Sequence, residues 1–188
     1  MGYPQGHKQK TRERIVLAAR KLWKRDGYDG ASVDKVMAEA GLTRGGFYAH
    51  FKSKDDLLVE ALSETLAIET INRLKEEGIN DEKVMRQMIV DFYISKTHRD
   101  YPDQGCPLTA LTQEAARFGS GPRKVLGRLV DRFSRWLIGG KSSRENGLTA
   151  LSLMVGSVTL ARAIEDESLS DEILEASQKE VKRILQIE

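Results

Sequence analysis

Residues 43–54 concentrate side chains that donate hydrogen bonds to anionic oxygen atoms. They include two hydroxyl groups, an imidazole, a guanidinium and two ammonium groups: Thr43, Arg44, Tyr48, His50, Lys52 and Lys54. Arginine presents a planar fork of N–H donors, which fits phosphate or the O6 and N7 atoms of guanine. Hydroxyl and ammonium groups donate to phosphate without selecting a base. The chemistry that this stretch predicts is the binding of a polyanion.

Residues that would form a catalytic or metal-binding set are scattered. The three histidines, His7, His50 and His98, lack the spacing of metal ligands. Gly140-Lys141-Ser142 resembles the end of a P-loop, but Arg135 stands where that motif requires its first glycine. No Gly-x-Ser-x-Gly sequence occurs. We therefore predict that the protein is not an enzyme and that it uses no metal or other cofactor.

The apolar residues follow a helical pattern along the 188-residue chain. They recur at spacings of three and four residues, as in Ile15, Ala18, Ala19, Leu22 and Trp23. The chain has only four prolines, and strand-like alternation is scarce. These features predict an all-α fold of about nine helices.

Composition indicates an ordinary globular protein, with 40% hydrophobic and 31% charged residues. No apolar run approaches the ~20 residues that a membrane span needs, and residues 1–10 are too polar for a signal peptide. The single cysteine, Cys106, has no partner for an internal disulfide. We therefore expect a cytoplasmic protein without a membrane partner.

Positive charge is concentrated near the N-terminus. Residues 1–54 carry 12 Lys and Arg against five Asp and Glu, a net of +7. Residues 55–188 carry 18 against 23, a net of −5. This asymmetry favours a local polyanion site, and a basic face that only meets water is the alternative.

Three short helices are predicted within the first 54 residues. The first ends near Gly27, the second is capped by Ser32, and the third runs from about Arg44 to His50. Gly41 supports the sharp turn between the second and third helices, and the small side chain of Ala40 lets them approach. This is the arrangement of a helix-turn-helix, whose second helix enters the major groove of double-stranded DNA.

The run from Ser32 to Leu58 resembles the N-terminal domain of TetR-family transcriptional regulators. The similarity lies in the Gly-Leu-Thr-Arg-Gly turn, in Phe-Tyr-Ala-His-Phe, and in Lys-Ser-Lys-Asp-Asp-Leu-Leu. The resemblance implies a helix-turn-helix DNA-binding domain at residues 1–54, followed by an effector-binding and dimerisation domain at 55–188. It also implies a homodimeric repressor that a small-molecule effector releases from a palindromic operator. An activator and a non-specific architectural DNA-binding protein are the alternatives.

Within the helix-turn-helix, individual roles follow from the resemblance and from side-chain chemistry. Phe47 and Phe51 are expected in the core, while Tyr48 and His50 resemble the pair that contacts phosphate in the family. We expect Arg44 to contact a base, because its fork can bond guanine. The other residues predicted to contact DNA are Ser32, Val33, Thr43, Gly45, Lys52 and Lys54.

The last two predicted helices carry more apolar surface than burial on one side requires. We therefore predict that they pair with the same helices of a second copy, in a two-fold interface of four helices. The residues assigned to this interface are Leu151, Val155, Val158, Val181 and Ile184. A helix buried wholly within a monomer is the alternative.

The middle helices carry apolar and aromatic residues that predict a cavity for a small apolar or aromatic effector. The candidate lining residues are Met88, Phe92, Cys106, Leu111, Phe118, Phe133 and Trp136. Ordinary core packing is the alternative. Cys106 precedes a predicted helix, whose dipole would lower the pKa of its thiol. It is therefore either a redox or electrophile sensor or a small buried side chain.

Overall fold

The computed structural model describes residues 5–63, 66–140 and 143–187, with the side chains of Gln5 and of residues 66–69 left aside. Within this part of the chain the regular structure is helical and contains no strand, which confirms the all-α prediction. The α-helices are α1 (Gln5–Gly30), α2 (Val33–Glu39), α3 (Lys54–Ser63), α4 (Leu66–Glu76), α5 (Glu82–Tyr93), α6 (Lys96–Asp100), α7 (Pro107–Arg117), α8 (Ser120–Ile138), α9 (Arg144–Ala163) and α10 (Glu167–Leu185). Two short 3₁₀ helices span Arg44–Ala49 and Pro102–Gln104.

The turn between α2 and the first 3₁₀ helix forms as the sequence predicts. Ser32 caps α2, because its Oγ accepts a hydrogen bond from the backbone N–H of Lys35 at 3.3 Å. Gly41 has a φ of 66°, a left-handed conformation that glycine adopts without strain. The side chain of Arg14 donates to the carbonyl of Ala40 at 2.6 Å. This bond fixes the turn against α1.

A first hydrophobic core surrounds α1 and extends beyond residue 54. Trp23, Met37 and Phe47 are fully buried within it. The same core includes residues of α3, α7 and α8: Leu57, Leu58, Ala61, Leu62, Leu111, Ala115, Val125 and Leu129. The predicted division into residues 1–54 and 55–188 therefore does not coincide with the edge of this core.

A second core is built from α5, α8, α9 and α10 with the end of α4. Met85, Leu137 and Met154 are among its fully buried residues. Helices α9 and α10 pack extensively on each other, and α8 packs on α9. At the α8–α9 crossing, Gly147 lies so close to Ser134 that a Cβ atom would stand 2.3 Å from its carbonyl oxygen. Glycine is therefore required for this approach.

Two predicted helices are shorter than expected. The helix predicted from Asp81 to Thr97 ends at Tyr93, and α6 starts anew because the Oγ of Ser95 accepts from the N–H of His98 at 3.1 Å. The helix predicted from Ser53 toward Glu77 is described as α3 and α4, on either side of residues 64 and 65, which lie outside the described residues. In the described part of the chain, no helix combines the length and apolarity needed to cross a bilayer.

The structure corrects the residues assigned to a dimer interface. Leu151, Val158 and Val181 are at most 3% exposed in the single chain, because they fill the second core between α9 and α10. Val155 and Ile184 are half-buried against the same core. A second copy would instead meet the outer face of α9 and α10, where a groove is lined by Leu148, Thr149, Ser152, Leu153, Gly156, Ser157, Leu160, Ile173 and Ser177.

Candidate nucleic-acid interface

Two buried aromatic side chains hold the predicted recognition segment in place. Phe47 is 0% exposed and Phe51 is 2% exposed, and their rings stack with centroids 5.6 Å apart. The segment between them is a 3₁₀ helix, Arg44–Ala49, and not the α-helix that the sequence predicts. Because i and i+3 side chains are nearly aligned in a 3₁₀ helix, the exposed residues here occupy a short, compact edge.

Four predicted contact residues lie on the exposed side of this segment. The Tyr48 side chain is 65% exposed and meets the edge of the Phe47 ring. Thr43 precedes the helix, and its hydroxyl makes no capping hydrogen bond there. Lys52 and Gly45 are also exposed, and nothing lies within 4 Å of the position that a Cβ of Gly45 would occupy. This edge therefore presents hydroxyl and ammonium donors to any anion that approaches it.

Arg44 shares the exposed side but has a partner that the sequence did not predict. Its Nη1 donates to Oδ2 of Asp34, in the first turn of α2, at 2.9 Å. Both side chains are more than half exposed. The pair crosses the turn of the helix-turn-helix and places a carboxylate among the predicted DNA contacts.

His50 closes the segment and is half-buried. Its Nδ1 is buried without a hydrogen-bond partner in the described structure. Burial lowers the pKa of His50 from its ordinary value, and the positive charges of Lys8 and Arg12 lower that pKa further. The imidazole is therefore predominantly neutral at neutral pH, and a phosphate beside it would favour the charged form.

Lys54 does not face solvent as a phosphate contact would. Its Nζ donates to the carbonyl oxygen of Tyr28 and lies 3.9 Å from the centre of the Tyr28 ring. The Tyr28 hydroxyl in turn donates to Asp55 at 2.5 Å. Burial lowers the pKa of Lys54, although Asp29 and Asp55 oppose this shift. The assignment of Lys54 to DNA is corrected, because its ammonium group joins α3 to the end of α1.

The residues at the start of α2 have different positions. Ser32 is exposed, and its hydroxyl is engaged as the helix cap. Val33 is half-buried and packs against the first core. At this end of α2 the exposed groups available to a phosphate are those of Ser32, whereas Val33 contributes mainly to packing.

Arg12 is an important residue that the sequence analysis did not select. Its guanidinium forms an ion pair with Glu60 of α3 and also donates to the backbone carbonyl of His50. Its central carbon lies 4.1 Å from the centre of the Phe51 ring. Arg12 thereby fixes the end of the recognition segment against both α1 and α3.

The family model for bacterial regulatory proteins of the tetR family matches residues 15–61, which contain these elements. The chain is a TetR-family protein. The HTH-type transcriptional regulator LmrA of Bacillus subtilis is 33% identical over 81 residues, which are 43% of this chain and 35% of LmrA. An uncharacterized regulator of that organism, YerO, is 28% identical over 96 residues, or 48% of this chain and 33% of YerO. The chain thus aligns with about a third of the length of each.

The whole TetR-family chain can be compared with solved structures. A TetR-family transcriptional regulator from Cytophaga hutchinsonii superposes with a TM-score of 0.75 at 19% identity, covering 98% of this chain and 97% of that one. The similarity shows a shared fold over both cores. The matched relatives are transcriptional regulators and not enzymes.

In this TetR-family chain, polar contacts join the helix-turn-helix to the larger helical region. Lys24 of α1 donates to the carbonyl of Gly105 at 3.0 Å. The next residue, Cys106, donates its backbone N–H to Nε2 of His98 at 2.8 Å, while Nδ1 of His98 lies 2.6 Å from the carbonyl oxygen of Tyr93. Because Nε2 accepts, the proton of the neutral ring is on Nδ1 and is donated to Tyr93. Burial lowers the pKa of His98 to about 4.

The candidate effector residues occupy three environments. Leu111 and Phe118 belong to the first core, and Cys106, Phe133 and Trp136 belong to the second. Met88 and Phe92 are about 40% exposed on α5, on the same side as Val84. Such exposure does not fit the enclosed cavity predicted for Met88 and Phe92, because an apolar stripe on a helix also arises at a surface. An effector pocket in this region stays a prediction.

Proposed function

We propose that the chain is a sequence-specific DNA-binding transcriptional regulator that acts as a homodimeric repressor. In this proposal a palindromic operator binds to the exposed edge formed by Thr43, Arg44, Tyr48 and Lys52. A small apolar or aromatic effector releases the operator.

The observation that carries the proposal is the contrast between the two sides of the recognition segment. Phe47 and Phe51 are buried, whereas Tyr48 and Arg44 are exposed beside a glycine that adds no bulk. A rigid backbone with donors on its open side suits the phosphates and base edges of a duplex. The similarity of residues 15–61 to the TetR family supports the same use.

A two-fold dimer is proposed from the outer face of α9 and α10. This face combines small residues with exposed apolar ones, such as Gly156 and Leu160, and Leu160 is 57% exposed in the single chain. Small residues allow helices of two copies to approach closely, and leucine contributes apolar area to the interface. Two recognition segments held in this way would meet successive major grooves, about 34 Å apart for half-sites separated by one helical turn.

Release by an effector requires that the two dimer geometries bind it with different affinity. The contacts that would transmit the change are α3 against α8 within the first core, and Lys24 against Gly105. A shift of α8 would move α3 and hence Arg12, which holds the end of the recognition segment. Spacing between the two segments would then no longer match the operator.

The decisive experiment is selection of bound fragments from a pool of random duplex DNA by the full-length protein, followed by footprinting. We expect a short palindromic motif with two protected half-sites. Diffuse protection without a motif would support the architectural alternative and overturn the proposal. Compounds that release the selected DNA would then identify the effector class, and a promoter reporter carrying the motif would distinguish repression from activation.

A further inference from the structure

The ion pair between Asp34 and Arg44 connects the two helices of the helix-turn-helix across its turn. Nη1 of Arg44 lies 2.9 Å from Oδ2 of Asp34, and both side chains remain more than half exposed. An ion pair in this setting contributes little to folding stability, because water screens the charges and both side chains lose conformational freedom. Its position on the predicted DNA-binding surface calls for a different role.

Within the described part of the chain, Asp34 is the recorded hydrogen-bond partner of the Arg44 side chain. The two residues after Arg44 are glycines, and a Cβ at Gly45 would meet no atom within 4 Å. No side chain at these positions restricts the arginine. The carboxylate of Asp34 is therefore what limits the directions in which the guanidinium can point.

One edge of the guanidinium remains available. The contact with Asp34 uses Nη1, whereas the fork has five N–H donors, and those on Nε and Nη2 can still pair with O6 and N7 of a guanine. The neighbouring cation does not cancel the carboxylate, because Nζ of Lys35 donates to the carbonyl of Gly30 at 2.8 Å. A negative charge thus faces the approaching phosphates and lowers affinity for every DNA sequence.

We propose that Asp34 is a specificity-determining positioning residue, which orients Arg44 toward one guanine in each half-site and disfavours binding elsewhere. This inference rests on the proposed function. The repulsion by the carboxylate acts on all DNA, whereas the oriented fork gains its two hydrogen bonds on the correct base alone. The two effects together increase the ratio of specific to non-specific affinity.

The test measures dissociation constants of the wild type and of Asp34→Ala, Asp34→Asn and Arg44→Ala. The ligands are the motif selected by the wild type, the same DNA with the contacted guanine replaced, and a random duplex. For Asp34→Ala we expect random-duplex affinity to rise about threefold or more and discrimination at the guanine to fall roughly three- to tenfold. Asp34→Asn should show the same rise but retain more discrimination, because its amide oxygen still accepts from Nη1.

Glu39→Ala is the matched control. Glu39 ends α2, is ion-paired with Lys21 at 2.7 Å, and loses the same charge when substituted. Its guanine discrimination should equal that of the wild type. Unchanged discrimination in Asp34→Ala, or equal loss in Glu39→Ala, would overturn the inference while the selected motif still supports the proposed function. If the wild type selects no motif, the proposed function itself fails.

Discussion

The ammonium group of Lys54 lies 3.9 Å above the ring of Tyr28 and donates to the carbonyl oxygen of the same residue. The two residues come from α3 and from the end of α1. Asp55, beside Lys54, accepts from the Tyr28 hydroxyl at 2.5 Å. Two neighbouring residues of α3 thus hold one tyrosine, and this arrangement predicts a structural role for a lysine in a DNA-binding sequence pattern.

Lys54→Met should therefore reduce stability more than it reduces DNA binding. Methionine keeps much of the apolar stem but loses the cation–π contact and the charged hydrogen bond. We expect a loss of about 1–3 kcal/mol in the free energy of unfolding. The salt dependence of DNA binding should stay as in the wild type, because no phosphate contact is removed. Urea denaturation and binding titrations at several salt concentrations measure the two effects.

Lys52→Met is the comparison for that substitution, since Lys52 is exposed two residues earlier. Its stability should change by less than about 0.5 kcal/mol. The slope of log affinity against log salt should become shallower by about 0.9, the contribution of one phosphate contact. A shallower slope for Lys54→Met as well would show that its ammonium group leaves Tyr28 to contact DNA.

Sequence reasoning succeeded where the cause was local. The cap at Ser32, the left-handed Gly41 and the buried pair Phe47 and Phe51 follow from neighbouring residues and spacing. The cap at Ser53 is likewise present, since its Oγ accepts from the N–H of Asp56 at 3.0 Å. These features depend on fewer than about eight consecutive residues, over which helical periodicity and capping rules apply.

Contacts between distant residues were beyond the same rules. Arg12 reaches Glu60 across 48 positions, and Arg44 reaches Asp34 across ten. Each long cation had several carboxylates within reach of its side chain, and the packing of α1, α2 and α3 decides among them. Periodicity also identified the apolar positions of α9 without separating the inner face from the outer one, so Leu151 was assigned to the wrong side.

Acidification should destabilise the fold through His98. The folded protein holds this imidazole neutral, with a pKa of about 4 against 6.5 for the ordinary group, mainly because it is buried. The unfolded chain therefore binds the extra proton between these values, so this group's contribution is complete above pH about 6.5 and is lost as pH falls toward about 4. The loss should be on the order of 3 kcal/mol.

The variant His98→Asn isolates this contribution. It will itself be less stable, but its free energy of unfolding should decline less steeply over the same pH interval. Chemical denaturation at a fixed protein concentration, repeated at successive pH values, gives the difference between the two proteins. Parallel curves for the wild type and His98→Asn would contradict the assignment of the low pKa to His98.

Two glycines of α9 should respond oppositely to substitution by alanine. At Gly147 the new Cβ would stand 2.3 Å from the backbone oxygen of Ser134, so α8 and α9 must separate. We expect Gly147→Ala to cost about 3 kcal/mol. At Gly156 no atom lies within 4 Å of the new Cβ, and the better helix propensity of alanine should leave the fold of the single chain equally or more stable. Thermal unfolding monitored by circular dichroism compares them.

The outer face of α9 offers a direct test of the proposed dimer. Leu160→Asp introduces a charge at a position that is 57% exposed in the single chain, so the fold should persist. In a dimer joined through this face, the buried charge should raise the dissociation constant at least about tenfold. Val84→Asp, at a 43% exposed position of α5, should leave association unchanged. Sedimentation velocity over a concentration series distinguishes the two variants.

Cys106 should resist thiol reagents in the native protein. Its side chain is 0% exposed, and burial raises the pKa of the thiol above its ordinary value. Both properties oppose formation of the reactive thiolate. Labelling with a maleimide should proceed at the rate of unfolding and become fast in denaturant. Rapid native labelling, together with loss of DNA release in Cys106→Ser, would instead favour the redox or electrophile sensor.

The first core has a practical consequence for anyone who recombines regulators of this family. Tyr28 packs its ring 4.4 Å from that of Phe118, and Trp23 shares its core with Leu111 and Leu129. A chimaera joined at residue 54 would bring these side chains against foreign surfaces on α7 and α8. A transplant that retains the native complementarity must include the facing positions of both helices, so the portable unit is a discontinuous set of residues.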